Sequence, residues 1–226
     1  MSTFLIVGTA PSLNEFDLSA IQDETRLTTL SCNGILRMGF IPDYLQISDR
    51  RPYIPELESG RLEDYAERGN LLLSNTIWDS KIRCANTPVQ EKPAFRFTEW
   101  RVGACSTPPN WTSFKTPLCS FATTAGQMLQ AAVILGATKI GIIGIDLVAP
   151  KEGTMHCYED GGSRKGATIQ KDGKTMAPGV TYQRFQEAKS ALKGRGVEIS
   201  NLSPTKGTAF AKVFGYGSYT DFMDDL

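Results

Sequence analysis

The run KIGIIGID, beginning at Lys139, constrains this chain more than any other stretch. Aliphatic residues follow one another there without an alternating polar face, so a strand covered on both sides is expected. Ahead of it, residues 123–135 space small and apolar side chains at helical intervals and stop at Gly136, a residue suited to the turn after a helix. Other segments repeat this rhythm. Thr3–Val7 is an apolar run closed by Gly8, and residues 27–31, 44–48, 71–74 and 197–200 read as further short strands. A charged helical stretch at 55–68 and an amphipathic helix at 182–193 fall between them. Strands separated by helices predict an α/β fold: a Rossmann-like, mostly parallel sheet with helices on both faces.

With 226 residues the chain is long enough for one large α/β domain, and a single nucleotide-binding domain over 1–226 is expected. Two stretches break the rhythm. Residues 75–117 hold five prolines and all three tryptophans, and residues 150–180 are rich in Gly, Lys and Asp. Both read as irregular insertions, the second as a lid-like loop over a binding site, although plain surface elaboration fits them too.

Lys plus Arg equals Asp plus Glu, which argues against broad attraction to nucleic acid or an anionic membrane. No apolar run is long enough to span a bilayer, and the first residues show no secretory pattern. Five scattered cysteines without a C-x-x-C pair fit reduced thiols. A cytoplasmic protein is therefore expected, and a homo-oligomer is left open.

In an open parallel sheet, ligands bind beyond the carboxyl ends of the strands. Those ends deliver Gly8, Thr9 and Ser12 after the first strand, Asn33 after the second, and Asp49 and Arg50 after the third. Gly144, Ile145 and Asp146 follow the KIGII strand. A turn of the composition Gly8-Thr9-Ala10-Pro11-Ser12 can bring backbone N–H groups close to phosphate or ribose. It matches neither the P-loop nor the G-x-G-x-x-G pattern, and a turn with no ligand role is equally simple. Thr123 and Thr124 open the long helix, where hydroxyls cap the backbone and the helix dipole favours an anion. His156, the single histidine, lies in the loop after Asp146 and is the candidate proton acceptor. Tyr158 and Lys165 in the same loop, with Arg50, are candidate phosphate or acceptor contacts.

The blocks FLIVGTAPSLNEFDLSAI, LSCNGI and TTAGQMLQAAVILGATKIGIIGIDL resemble, in order, those of bacterial sialyltransferases that use CMP-sialic acid. They are also similar to a wider group containing archaeal 6-hydroxymethylpterin diphosphokinase and motility accessory factors that modify flagellin. The likeness covers the N-terminal blocks through the third strand and the stretch from Ser120 to Pro204. It implies that Gly8, Thr9 and Ser12 line the phosphate or ribose, and that Asn33 and Asp49 contact the nucleotide or donor. It further implies that Thr123 and Thr124 supply the hydroxyl pair, and that Gly144, Ile145 and Asp146 sit against base or ribose. His156 matches the family's catalytic base. Thr9 replaces the asparagine of the family's turn, and Leu147-Val148-Ala149 stand where a tyrosine pair is expected. Those departures bear on sialyl transfer while leaving nucleotide binding intact. The chain also stops short of the C-terminal membrane-associating region of some members.

The resulting expectation is a nucleotide-sugar-dependent glycosyltransferase. It would use no metal or cofactor, take a nucleotide-sugar donor and pass the sugar to a small-molecule or glycan acceptor. A Mg-dependent diphosphotransferase, with Asp49 and Asp146 on the Mg²⁺, is the alternative reading. A non-catalytic nucleotide-binding protein is a third.

Overall fold

A computed structural model describes residues 2–48, 50–78, 91–104, 106–121, 123–146, 157, 179–205 and 209–226. Its centre is one sheet of seven parallel strands: β1 (Thr3–Val7), β2 (Thr28–Cys32), β3 (Tyr44–Ile47), β4 (Asn70–Ser74), β5 (Thr98–Trp100), β6 (Lys139–Ile143) and β7 (Glu198–Asn201). They lie in the order β5-β4-β3-β2-β1-β6-β7. From β1 the chain steps outward strand by strand to β5, then crosses back to place β6 on the other side of β1. The strand order therefore reverses between β1 and β6, and the architecture is Rossmann-like.

Among the described residues, seven α-helices connect or follow the strands: α1 (Leu18–Asp23), α2 (Arg50–Glu58), α3 (Arg61–Ala66), α4 (Thr124–Ile134), α5 (Gly179–Lys193), α6 (Ala209–Phe214) and α7 (Tyr219–Asp224). Strand alternation distributes the core between two faces. Phe4 and Ile6 point to the side of α4, α5 and α6, where they meet Met128, Leu129, Phe185 and Phe210. Leu5 and Val7 point to the opposite side, against Leu13, Ile21, Tyr53, Leu62 and Phe222. Covering both faces is what allows β1 and β6 to carry consecutive apolar residues, such as Phe4–Val7 and Ile142–Ile143, without an alternating polar face.

Thr3–Val7 and Lys139–Ile143 form strands with the bounds expected from sequence. The helical stretch expected at 55–68 is two helices that begin earlier, at Arg50. Pro52 sits in the first turn, where its missing N–H removes no helical bond, so proline did not mark the start. Residues 75–117 are not wholly irregular, because Thr98–Trp100 pairs with β4 as an edge strand.

Candidate functional site

The carboxyl ends of β1, β2, β3 and β6 share one rim of the sheet, and α4 packs over β1 and β2 with its N-terminus toward that rim. The Ser48 hydroxyl, just beyond β3, donates to Gln127 Oε1 in the second turn of α4 at 2.6 Å. Gly8, Thr9, Ser12, Asn33, Thr123, Thr124, Gly144, Ile145 and Asp146 thus lie at one end of the sheet. Asp49, His156, Tyr158 and Lys165 lie outside the described residues, as does most of the 150–180 loop.

The turns after β1 and β6 are joined to each other. Gly8 N–H donates to the Ile143 carbonyl at 2.9 Å and Ala10 N–H to the Gly144 carbonyl at 2.8 Å. A β-carbon at Gly8 would stand 2.1 Å from the Gly144 oxygen and 2.5 Å from Ile145 Cγ1. Gly144 has φ +64°, and a side chain there would meet Gly8 O at 3.0 Å and Leu13 Cβ at 3.1 Å. The two glycines are therefore the means by which one backbone crosses the other. The N–H groups of Gly8 and Ala10, expected to face a phosphate, are satisfied within the protein.

Asp146 extends this junction to β7. Its Oδ1 accepts from the Ser12 hydroxyl at 2.6 Å and from the Ser203 hydroxyl at 3.1 Å, and its Oδ2 accepts from Ser12 N–H at 3.3 Å. All three residues are buried. Since both hydroxyl protons point to Asp146, the 3.0 Å approach of the serine oxygens to one another is a consequence of the shared acceptor. Ser203 was not singled out from the sequence. Its signal was available in NLSPTK, at the end of a recognised strand whose polar residues were not read.

Thr123 caps α4, its hydroxyl accepting from Gly126 N–H at 3.3 Å, while Thr124 is half-buried in the first turn. Gly126 has no side chain because the Phe121 ring occupies that place, 2.2 Å from where its β-carbon would be. Arg50 is 2% exposed, and its Nε donates to the Ile77 carbonyl at 2.5 Å. That bond ties the start of α2 to the segment after β4.

Asn33 is different. It follows β2 with φ 55°, a left-handed conformation that asparagine tolerates better than most residues. Its N–H donates to the Gln46 carbonyl at 3.1 Å. Its Oδ1 is buried without a hydrogen-bond partner among the described residues.

Cys32, at the end of β2, is buried and its thiol is pushed up to about 12, mainly by desolvation and further by the nearby Cys157 thiol. Cys157 itself is held to the first turn, its N–H donating to the Thr9 carbonyl at 2.9 Å. Among the described residues no three His, Cys, Asp or Glu side chains cluster as metal ligands, and no helix is long and apolar enough to cross a membrane. A surface cavity of about 150 Å³ is lined by Leu36, Gly39, Ile41, Arg61, Asp64, Tyr65 and Arg68. It lies toward the amino ends of β3 and β4, where the Tyr65 hydroxyl donates to the Pro42 and Asn70 carbonyls, away from the rim described above. Comparison of the chain with models of known protein families, with curated proteins and with solved structures finds no significant match.

Proposed function

We propose that the chain is a nucleotide-sugar-dependent glycosyltransferase whose donor binds at the carboxyl rim, beside the joined β1 and β6 turns and under the N-terminus of α4. The observation that carries this reading is Asn33: a buried amide oxygen without a partner among the described residues, held in a left-handed turn at the end of β2. Buried polar atoms are nearly always paired, so an exception at the ligand-binding edge of a parallel sheet points to a guest. Resemblance of the same strand ends to CMP-sialic-acid-dependent enzymes supports a nucleotide-sugar as that guest. The first thirds of α4 would add a favourable dipole to a phosphate.

In the transfer, an acceptor hydroxyl oxygen bonds to the anomeric carbon while the bond from that carbon to the phosphate oxygen breaks. The hydroxyl proton passes to His156, and the nucleotide leaves with its bonding electron pair. General-base help of this kind contributes about two to four powers of ten in rate.

Thermal-shift titration with CMP, CDP, UDP, GDP and ATP, with and without Mg²⁺, tests the reading. At about one hundred times the dissociation constant, a pyrimidine nucleotide should stabilise the protein by about 2.7 kcal/mol without metal. Stabilisation by ATP only in the presence of Mg²⁺ would transfer the assignment to diphosphate transfer, and no shift with any nucleotide would end it. His156→Ala should abolish sugar transfer from CMP-sialic acid while keeping the thermal shift.

A further inference from the structure

Gln46 occupies the middle of β3, in register with Cys32 of β2 and Leu72 of β4. Its neighbours Leu45 and Ile47 enter the core on the α2 and α3 side, so alternation sends Gln46 to the α4 side. It is fully buried, and neither its Oε1 nor its Nε2 has a hydrogen-bond partner among the described residues. Leaving both halves of an amide unpaired in a core is strongly unfavourable.

Nearby amides show that the fold can satisfy such groups. Gln130 accepts from the N–H groups of Asn110 and Cys119 and donates to the carbonyls of Cys119 and Gly126. Gln127 accepts from Ser48. Six buried side-chain atoms of the described residues lack a partner; three of them form one set on Asn33 and Gln46, whose backbones are tied by the Asn33 N–H donating to the Gln46 carbonyl, and the others are Tyr53 Oη, Trp100 Nε1 and Asn201 Nδ2.

We propose that Gln46 is a specificity-determining residue of the donor site, reading a hydroxyl of the sugar together with Asn33. This inference rests on the nucleotide-sugar reading and names the part of the donor that is recognised. The unpaired set comprises two acceptor oxygens and one amide donor. A phosphate or carboxylate carries no proton to give and cannot satisfy the oxygens. A hydroxyl both gives and accepts, and it is small enough to enter a crowded core. A captive water offers the same chemistry, so the test must separate the two.

Calorimetric titration of wild type and Gln46→Met with CMP and CMP-sialic acid, and with UDP and UDP-glucose, does so. Gln46→Met should bind the bare nucleotide as wild type does, bind the matching nucleotide-sugar at least about tenfold more weakly, and show an unliganded melting temperature no lower than wild type. Asn33→Gly, which keeps the left-handed turn, should show the same selective loss. Equal affinities for the nucleotide-sugar in wild type and Gln46→Met would assign the amide to water and overturn the proposal. So would a lowered melting temperature or failure of Gln46→Met to fold, because the amide would then have a partner in the unliganded protein. Failure of wild type to bind any of the four ligands would instead refute the nucleotide-sugar reading itself, and the proposal with it.

Discussion

Gly8→Ala tests whether the first turn is shaped for a ligand or for its neighbour. The new methyl would lie 2.1 Å from the Gly144 oxygen and 2.7 Å from the Gly144 carbonyl carbon. Both are backbone atoms and cannot rotate away, so the two turns must part by roughly 1 Å to restore an ordinary contact. That displacement weakens the Gly8–Ile143 and Ala10–Gly144 bonds, now 2.9 and 2.8 Å long. Two backbone bonds at about 1 kcal/mol each, with about 1–3 kcal/mol for overpacking, give about 3–5 kcal/mol of destabilisation. Against the 5–15 kcal/mol typical of a folded domain, that is a large share. The melting temperature, followed by circular dichroism with urea unfolding as a second measure, should fall by about 10 °C. Gly39→Ala is the control: its φ is +73° but nothing lies within 4 Å of the added carbon. It should cost only the left-handed backbone penalty of about 1–2 kcal/mol. If Gly8→Ala proves as mild as Gly39→Ala, the turns do not cross as described and the space beside Gly8 is open to a ligand after all.

Asp146→Ala removes the acceptor shared by Ser12 and Ser203, leaving buried donors unpaired. It should destabilise by about 2–4 kcal/mol in urea unfolding, whereas Asp146→Asn should cost less. Gln130→Leu cuts four hydrogen bonds, three of which tie residues 110 and 119 to α4, and should cost about 2–3 kcal/mol, with faster amide exchange at Asn110 and Cys119. Cys32 should resist thiol reagents in the folded protein: raising its value from 9.0 to about 12 leaves about a thousandfold less thiolate at mildly alkaline pH, as timed labelling and mass spectrometry would show. Because that value is raised on folding, its contribution is intact below pH 9.0 and is lost as pH climbs toward 12.

The parallel sheet was legible because β1 and β6 are largely apolar runs each closed by a glycine, Gly8 and Gly144. β5 was not, since three residues that include Glu99 carry too little pattern and owe their conformation to pairing with β4. The six-residue helices α6 and α7 escaped for the same reason of length. At the rim, reading strand ends picked out Gly8, Asn33 and Asp146, which the fold brings to one edge. Their partners were hidden, because Ser12, Asp146 and Ser203 meet only after β6 closes against β1 and β7 against β6. Gln46 was missed because a polar residue within a strand ordinarily reads as solvent-facing. Its burial comes from α4 and neighbouring strands, which no local pattern reports.

Placing β1 between β2 and β6, inside the sheet, sets a schedule for synthesis. Its partner on one side, β2, emerges from the ribosome soon after it, but β6 begins only at Lys139. At translation speeds of about 5–20 residues per second, one row of β1 amides and carbonyls waits on the order of ten seconds for its mate. During that interval the nascent five-strand half presents an open template for a foreign strand, and chaperone dependence should concentrate there.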